Sequence, residues 1–232
     1  MTDRQFHIQA ETSRESGDFT TALELTDRAF ISYIQDNDLL GASEVMCSRF
    51  NVFKHLYTQD QSSALAIQAD HATQMAIAIA ETSQDPRALA LAYFNRGKYF
   101  QKFLTDWPQS ITWYQKALDA LVASPPPNHD RPAVRIDFQV HLLFAQGMAG
   151  DEQVIPPLES LAQQLSKLDE DQYNRDVWTS GAYMRLARLS HHFQQPSQLD
   201  SYLKQASQII NSNPNLTLRS HQLDELTKTL SS

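Results

Sequence analysis

The chain has 232 residues, of which 41% are hydrophobic and 20% charged, a composition typical of a folded globular protein. Its 19 lysines and arginines against 27 acidic residues give a formal net charge of −8, which argues against binding to nucleic acid. The single cysteine, Cys47, excludes an intramolecular disulfide and a cysteine-based zinc site. The start of the chain is polar and no apolar stretch is long enough for a bilayer, so we expect no membrane partner and a cytoplasmic location.

Helical spacing of apolar residues predicts an all-α protein with eleven helices. Many of them begin at polar breaks such as Gly17-Asp18, Thr105-Asp106 and Gly150-Asp151, where an aspartate caps the first turn. The stretch 134–144 alternates like a strand, but its helical neighbours favour a helix there. The helices are expected near residues 3–16, 18–35, 38–57, 61–83, 86–104, 107–123, 131–149, 152–168, 172–194, 196–211 and 216–231.

A repeated spacing runs through these predicted helices. Alanines recur about every 43–45 residues in similar helical contexts, at Ala29, Ala72, Ala117, Ala162 and Ala206. Such a period predicts stacked helical hairpins, because one hairpin cannot bury its apolar face alone. We expect a single domain over residues 1–232, with hairpins at 3–35, 38–83, 86–123, 131–168 and 172–211. An amphipathic helix at 216–231 is expected to cap the stack.

The third hairpin carries the most specific motif. Its segment ALAYFNRG at 90–97, followed by DW at 106–107 and WYQKAL at 113–118, resembles a tetratricopeptide repeat. The aromatic and small positions of that family fall on Tyr93, Gly97, Trp107, Ser110 and Ala117. The first hairpin matches at Phe6, Ala10, Gly17, Phe19, Ala22 and Ala29, and the fifth at Tyr183, Ala187 and Ala206. The period exceeds the usual 34 residues and is similar to the longer hairpins of kinesin light chains and bacterial peptide-sensing regulators.

The resemblance implies a right-handed α-solenoid in which the first helix of each hairpin lines a concave groove that binds a peptide or a partner helix. Projected onto this sequence, the groove residues are Arg4, His7, Arg14, Phe50, Lys54, Tyr57, Phe94, Lys98, Gln101, Lys102, Arg188 and His191. Cations predominate in this set although the protein is acidic, so we expect a preference for acidic ligands. The aromatic members are expected to be apolar anchors beside the cations.

No motif for catalysis or for a cofactor occurs in the sequence, which lacks a glycine-rich phosphate loop, H-E-x-x-H and G-x-S-x-G. Three features have two interpretations each. His191-His192 could hold a metal or lie at a helix end, Cys47 could be a nucleophile or a buried small residue, and the acidic run 169–171 could bind a cation or form a solvated turn. Missing ligand spacing and the usual behaviour of a free cysteine favour the second interpretation. We therefore expect no metal, no cofactor and no enzyme activity.

The sequence predicts a scaffold that binds a protein or peptide. The alternative is a peptide-sensing regulator that acts on a separate effector polypeptide, since the predicted hairpins leave no room for an effector domain. Self-association is a further alternative, because the open end of a solenoid exposes an apolar helix face. The N-terminal helix, with Phe6 and Ile8, is the expected contact of such a homodimer.

Overall fold

A computed structural model describes residues 2–230, and every regular element in that range is helical. The α-helices are α1 (Asp3–Glu15), α2 (Phe19–Gln35), α3 (Leu39–Gln59), α4 (Ser63–Ser83), α5 (Leu89–Tyr99), α6 (Trp107–Ala123), α7 (Pro132–Met148), α8 (Ile155–Leu165), α9 (Gln172–His192), α10 (Pro196–Ser212) and α11 (Thr217–Leu230). The prediction of an all-α fold with eleven helices is confirmed over these residues. Met1, Ser231 and Ser232, which the predicted domain and cap include, lie outside them.

Three short turns complete the helical elements. Turns of 3₁₀-helix at Pro86–Ala88 and Glu152–Val154 precede α5 and α8, and a π-helical turn at Phe100–Leu104 follows α5. The strand-like stretch 134–144 lies within α7, as expected from its neighbours. Over residues 2–230, no helix has the length and apolar character that crossing a membrane requires.

Side-chain caps determine where the helices begin. Thr2 and Gln5 form a reciprocal capping box at the start of α1. Aspartates accept hydrogen bonds from first-turn backbone N–H groups at the starts of α2, α3, α6 and α9, namely Asp18, Asp38, Asp106 and Asp171. The break at Gln59-Asp60 differs from the prediction: α3 continues to Gln59, and Ser62 caps α4.

The chain forms two compact units, one that ends at Asp130 and one that begins at Arg131. In unit 1, each helix from α1 to α5 packs on the next helix in sequence. In addition, α1 contacts α3, and α3 contacts α5. In unit 2, α7 contacts α8 and α9, while α9 contacts α10 and α11. We call the row α1, α3 and α5 the odd-helix face of unit 1, and the row α7, α9 and α11 that of unit 2.

The core of unit 1 repeats one burial pattern in its even-numbered helices. The buried residues are Ala22, Thr26, Ala29 and Tyr33 in α2, then Ala69, Thr73, Ala76 and Ala80 in α4, then Ser110, Tyr114, Ala117 and Leu121 in α6. The spacing is the same in each helix, so Ala76 is the equivalent of Ala29. The predicted anchor Ala72 is also buried but lies one helical turn earlier.

Two arginines support this alignment. Arg49 of α3 donates to the Thr26 hydroxyl of α2 at 3.3 Å, and Arg96 of α5 donates to the Thr73 hydroxyl of α4 at 2.8 Å. Each arginine also forms an ion pair with an aspartate of the preceding helix. The same kind of contact therefore joins α2 to α3 and α4 to α5 in unit 1.

Candidate functional site

Two of the predicted groove aromatics lie in the core. Phe50 has no exposed surface and Phe94 is 3% exposed. Phe50 packs with Phe53 and Tyr99, and the Phe94 ring lies 5.5 Å from that of Tyr114. The expectation that Phe50 and Phe94 contact a partner as apolar anchors is corrected, because side chains of their own unit already cover them.

Two buried phenylalanine rings, Phe94 and Phe144, each contact a cation. The Lys98 Nζ atom lies 4.2 Å from the centre of the Phe94 ring in unit 1. In unit 2, the Arg188 guanidinium lies 5.1 Å from the centre of the Phe144 ring, which is fully buried. A cation over an aromatic face is attracted by the ring quadrupole, so these contacts restrict the side chains of Lys98 and Arg188.

Other predicted groove residues of unit 1 surround the end of α3 and the π-helical turn. Lys54 donates to the Asn51 side chain at 3.2 Å, and the half-buried Tyr57 ring lies 4.5 Å from the Phe103 ring. The Gln101 side-chain oxygen accepts a hydrogen bond from the Tyr114 hydroxyl at 2.7 Å. Lys102 is exposed. In unit 2, His191 and His192 are exposed at the end of α9.

A partly buried polar network joins α1, α2 and α3. The Tyr33 hydroxyl lies 3.4 Å from Nδ1 of His7, and the other ring nitrogen of His7 lies 2.8 Å from the Ser48 hydroxyl. The Ser48 hydroxyl also lies near the Glu11 carboxylate and lowers its pKa. One arrangement of protons satisfies all of these contacts: Tyr33 donates to His7, His7 to Ser48, and Ser48 to Glu11.

The pKa values of this network favour that arrangement. Burial lowers the pKa of His7, against the attraction of Glu11, so the ring is neutral at neutral pH. Burial alone would raise the pKa of Glu11, but the Arg14 charge and hydrogen bonds from Ser48 and Arg14 hold it below its usual value. Burial, as the largest effect, raises the pKa of the Tyr33 hydroxyl to about 12. The network is thus a neutral tyrosine and histidine beside a charged carboxylate.

This network contains a serine and a histidine at the distance of a nucleophile and its general base, but the proton arrangement above gives the hydrogen bond between them the opposite direction. A general base accepts the serine proton, whereas here the Ser48 proton is directed to Glu11 and His7 is the donor. Burial, as the largest effect, raises the pKa of the Cys47 thiol to about 12, which favours its interpretation as a buried small residue. Among the described residues, no three His, Cys, Asp or Glu side chains converge as a metal site would require.

Arg14 connects the network to the end of α3. Its guanidinium donates to Glu11 at 2.6 Å and to Glu15 at 2.5 Å, and it lies 3.4 Å from Nε2 of His55. The buried His55 ring stacks on Phe19 at a centre distance of 5.9 Å. Two carboxylates therefore compensate the Arg14 charge.

Arg4, another predicted groove residue, lies at the start of α1 and contacts the segment after α6, which is described below.

The sequence analysis missed a cationic cluster in unit 2. Arg185 of α9 donates to the Gly181 carbonyl at 2.9 Å and to Nε2 of His141 on α7 at 2.5 Å. A Cβ atom at residue 181 would lie 3.1 Å from the Arg185 guanidinium and 3.2 Å from that of Arg219 on α11. Glycine therefore leaves room for two guanidinium groups to approach each other. A glycine inside α9 with arginine four residues later is the signal that could have revealed the cluster.

Arg188 belongs to the same cluster. The residue keeps solvent exposure, but its guanidinium faces the Phe144 ring. Desolvation there, and then the nearby Arg185 charge, lower the pKa of Arg188. The odd-helix face of unit 2 thus brings together Arg188, which the sequence predicted, with Arg185 and Arg219, which it did not.

Comparison with known proteins leaves the resemblance to tetratricopeptide repeats without independent support. The chain matches no family model and no curated protein. The functional interpretation therefore depends on the geometry of the two odd-helix faces.

Proposed function

We propose that this chain is a non-enzymatic module that binds a protein or peptide on its odd-helix faces and prefers acidic ligands. We propose also that its helix pairs are five hairpins of a right-handed, tetratricopeptide-like solenoid with α11 as the cap. In support, neighbouring helices pack in pairs, odd-numbered helices contact each other within each unit, and α11 contacts α9 and α10.

One observation carries the preference for acidic ligands: each odd-helix face has a cation held over a buried phenylalanine ring. These are Lys98 over Phe94 and Arg188 over Phe144. A side chain that is already restricted loses less conformational entropy on binding, so more of its interaction energy appears as affinity. Each charge-assisted hydrogen bond to a ligand carboxylate contributes about 1.5–3 kcal/mol.

The test is a pull-down from host lysate with the full chain and with the Lys98→Glu/Arg188→Glu double variant. Captured proteins are identified by mass spectrometry, and their affinity is then measured at two salt concentrations. We expect the double variant to lose at least one partner that the unmodified chain holds. The affinity of the unmodified chain for these partners should fall with added salt, because screening weakens exposed charge interactions. The single variants show which unit contributes more.

Lys116→Glu is the matched control, since Lys116 also lies over an aromatic ring, Trp113, at 4.5 Å. It belongs to α6 and not to an odd-numbered helix. A partner lost by the double variant and kept by Lys116→Glu would support the proposal. Partners bound equally by all three proteins would contradict it, provided that circular dichroism shows equal helix content.

Self-association is a second candidate function, favoured by exposed isoleucines on the first helix pair. Ile8 of α1 and Ile31 and Ile34 of α2 are 55%, 56% and 44% exposed. Phe6, which the sequence also assigned to this contact, packs partly buried on the core. If α1 and α2 mediate a homodimer, light scattering should give a two-chain mass that Ile31→Glu reduces to one chain. A one-chain mass for the unmodified protein at high concentration would exclude the dimer.

A further inference from the structure

The segment that follows α6, residues 124–130, returns to the start of unit 1; we call it the strap. Its sequence is SPPPNHD, and the His129 N–H donates to the Pro126 carbonyl at 2.8 Å, which closes a tight turn. The side-chain amide of Asn128 is oriented so that both its oxygen and its nitrogen are satisfied. In this orientation the oxygen accepts hydrogen bonds from both terminal nitrogens of Arg4 at 3.1 Å. The His129 ring lies 4.0 Å from the Glu44 carboxylate. The strap therefore links the end of the third helix pair to α1 and α3.

The strap lies over part of the first half of α3. Its His129 ring faces the carboxylate of Glu44, a charged residue that is only 9% exposed. The strap does not fill this surface. A cavity of about 270 Å³ lies between the turn and the helices, and its walls include the cationic Arg4, the acidic residues Asp3, Asp38 and Glu44, and Asn128 of the strap. A larger side chain at the turn could therefore enter without moving the helices.

Two polar contacts of the strap, that of Asn128 with Arg4 and that of His129 with Glu44, are weaker than this surface permits. Arg4 presents two N–H groups to a neutral amide oxygen, and a carboxylate in the same place would add an opposite charge to the same two hydrogen bonds. Glu44 faces an imidazole ring at 4.0 Å, beyond hydrogen-bond distance, whereas the longer side chain of lysine or arginine could reach the carboxylate. An acidic residue followed by a basic one would fit this surface better than Asn128 and His129 do.

We propose that the strap is a ligand bound in cis, and that the surface beneath it takes a proline-containing turn of a partner protein, with an acidic residue in place of Asn128 and a basic one in place of His129. This inference rests on the proposed function as a binding module, because α1 and α3 belong to the odd-helix face of unit 1, but it uses other residues of that face than Lys98. The strap regulates that surface, because a tethered segment competes at an effective concentration in the millimolar range. A partner must therefore displace it.

The test measures binding of a fluorescent peptide that copies residues 124–130 with Asp and Lys in place of Asn128 and His129. Fluorescence anisotropy compares the full chain with the Asn128→Gly/His129→Gly variant, in which the strap keeps its prolines and loses both contacts. We expect the variant to bind the peptide at least ten-fold more tightly than the unmodified chain. Adding Arg4→Ala to the variant should abolish this gain. Ser124→Gly/Asp130→Gly is the matched control, because it places two glycines at the ends of the strap.

Equal affinity of the unmodified chain and the variant, or no binding to either, would overturn the proposal. A gain of the same size in the Ser124→Gly/Asp130→Gly control would also overturn it, since the effect would then come from flexibility alone. None of these results bears on the lysate experiment, which changes other residues. Conversely, a lysate experiment without partners leaves the peptide measurement interpretable, because its probe is defined.

A second measurement needs no ligand. Asn128→Asp should raise the melting temperature by about 2 °C, since a stabilisation of about 1 kcal/mol shifts a chain of this size by that amount. The rise should disappear in an Arg4→Ala background. The same rise in both backgrounds would show that Asn128 does not act through Arg4, and would overturn the assignment of the strap contact.

Discussion

Both units join neighbouring odd-numbered helices through an arginine that contacts a histidine ring, but the two arginines have different neighbours. In unit 1, Arg14 contacts His55 and donates to Glu11 and Glu15. In unit 2, Arg185 donates to His141 and to the Gly181 carbonyl, and Arg219 approaches the same glycine. The arginine pairs directly with two carboxylates in unit 1, whereas in unit 2 it lies near Arg188, and the Asp137 carboxylate lies 3.9 Å from the His141 ring. An arginine on a projected helix face therefore does not by itself indicate a ligand site.

Arg14→Ala tests the compensated side of this comparison and should have the largest effect. Removing one partner of a buried ion pair costs about 3–5 kcal/mol, but the Glu11 side chain is 38% exposed, so solvent screens part of this cost. We expect a loss of about 2 kcal/mol in the free energy of unfolding, measured by urea denaturation. Arg28→Ala, an exposed arginine of α2, is the control and should change little. An equal loss in both variants would contradict the structural role of Arg14.

Arg185→Ala tests the cationic side and should cost less, about 1 kcal/mol. The contacts described for Arg185 are with a backbone carbonyl and a histidine ring, and its removal relieves repulsion with Arg188. Urea denaturation of Arg14→Ala and Arg185→Ala under the same conditions compares the two directly. If Arg185→Ala were the more destabilising variant, unit 2 would depend on this contact for stability at least as much as unit 1.

The proton state of His7 provides a pH test of the unit 1 network. Because burial lowers the pKa of His7 in the folded protein, the unfolded chain binds more protons below its ordinary pKa of 6.5. The free energy of unfolding should therefore decrease as the pH falls from 6.5 through the lowered pKa. His7→Gln retains a donor for Ser48 but does not titrate, so its stability should decrease less over this range. Parallel slopes for both proteins in urea denaturation between about pH 7 and 5 would contradict this.

Local signals predicted the helices well and the site less well. Aspartates such as Asp18 and Asp106 lie at helix starts because their carboxylates bind the first-turn N–H groups, which depends on neighbours in sequence. Ala72 was one turn from the true equivalent of Ala29, since alanine is buried at both Ala72 and Ala76. Only the contacts of Arg49 and Arg96 with the preceding helix distinguish the two alignments.

The candidate site could not be predicted by projecting residues onto helix faces alone, because projection does not show which side chains pack on each face. Projection placed Phe50 and Phe94 on the correct helices but did not show that Phe103 and Tyr114 pack against them. It assigned Arg14 to a ligand, although Glu11 and Glu15 of the same helix compensate the Arg14 charge. The strap was read as a break between hairpins, and its return to Arg4 is a contact between residues distant in sequence that periodicity does not reveal.

The smallest expected effect on stability comes from an ion pair whose N–O distance is similar to that of the Arg14–Glu11 pair. Lys228 donates to Glu225 on α11 at 2.8 Å, and both side chains are mostly exposed. The pairing hydrogen bond and charge raise the pKa of Lys228 and lower that of Glu225, but both groups remain hydrated in the folded protein. Because water already satisfies these charges, Lys228→Ala should leave the melting temperature unchanged within error. A decrease in stability as large as that of Arg14→Ala would mean that the N–O distance of an ion pair, and not its burial, determines its contribution to stability.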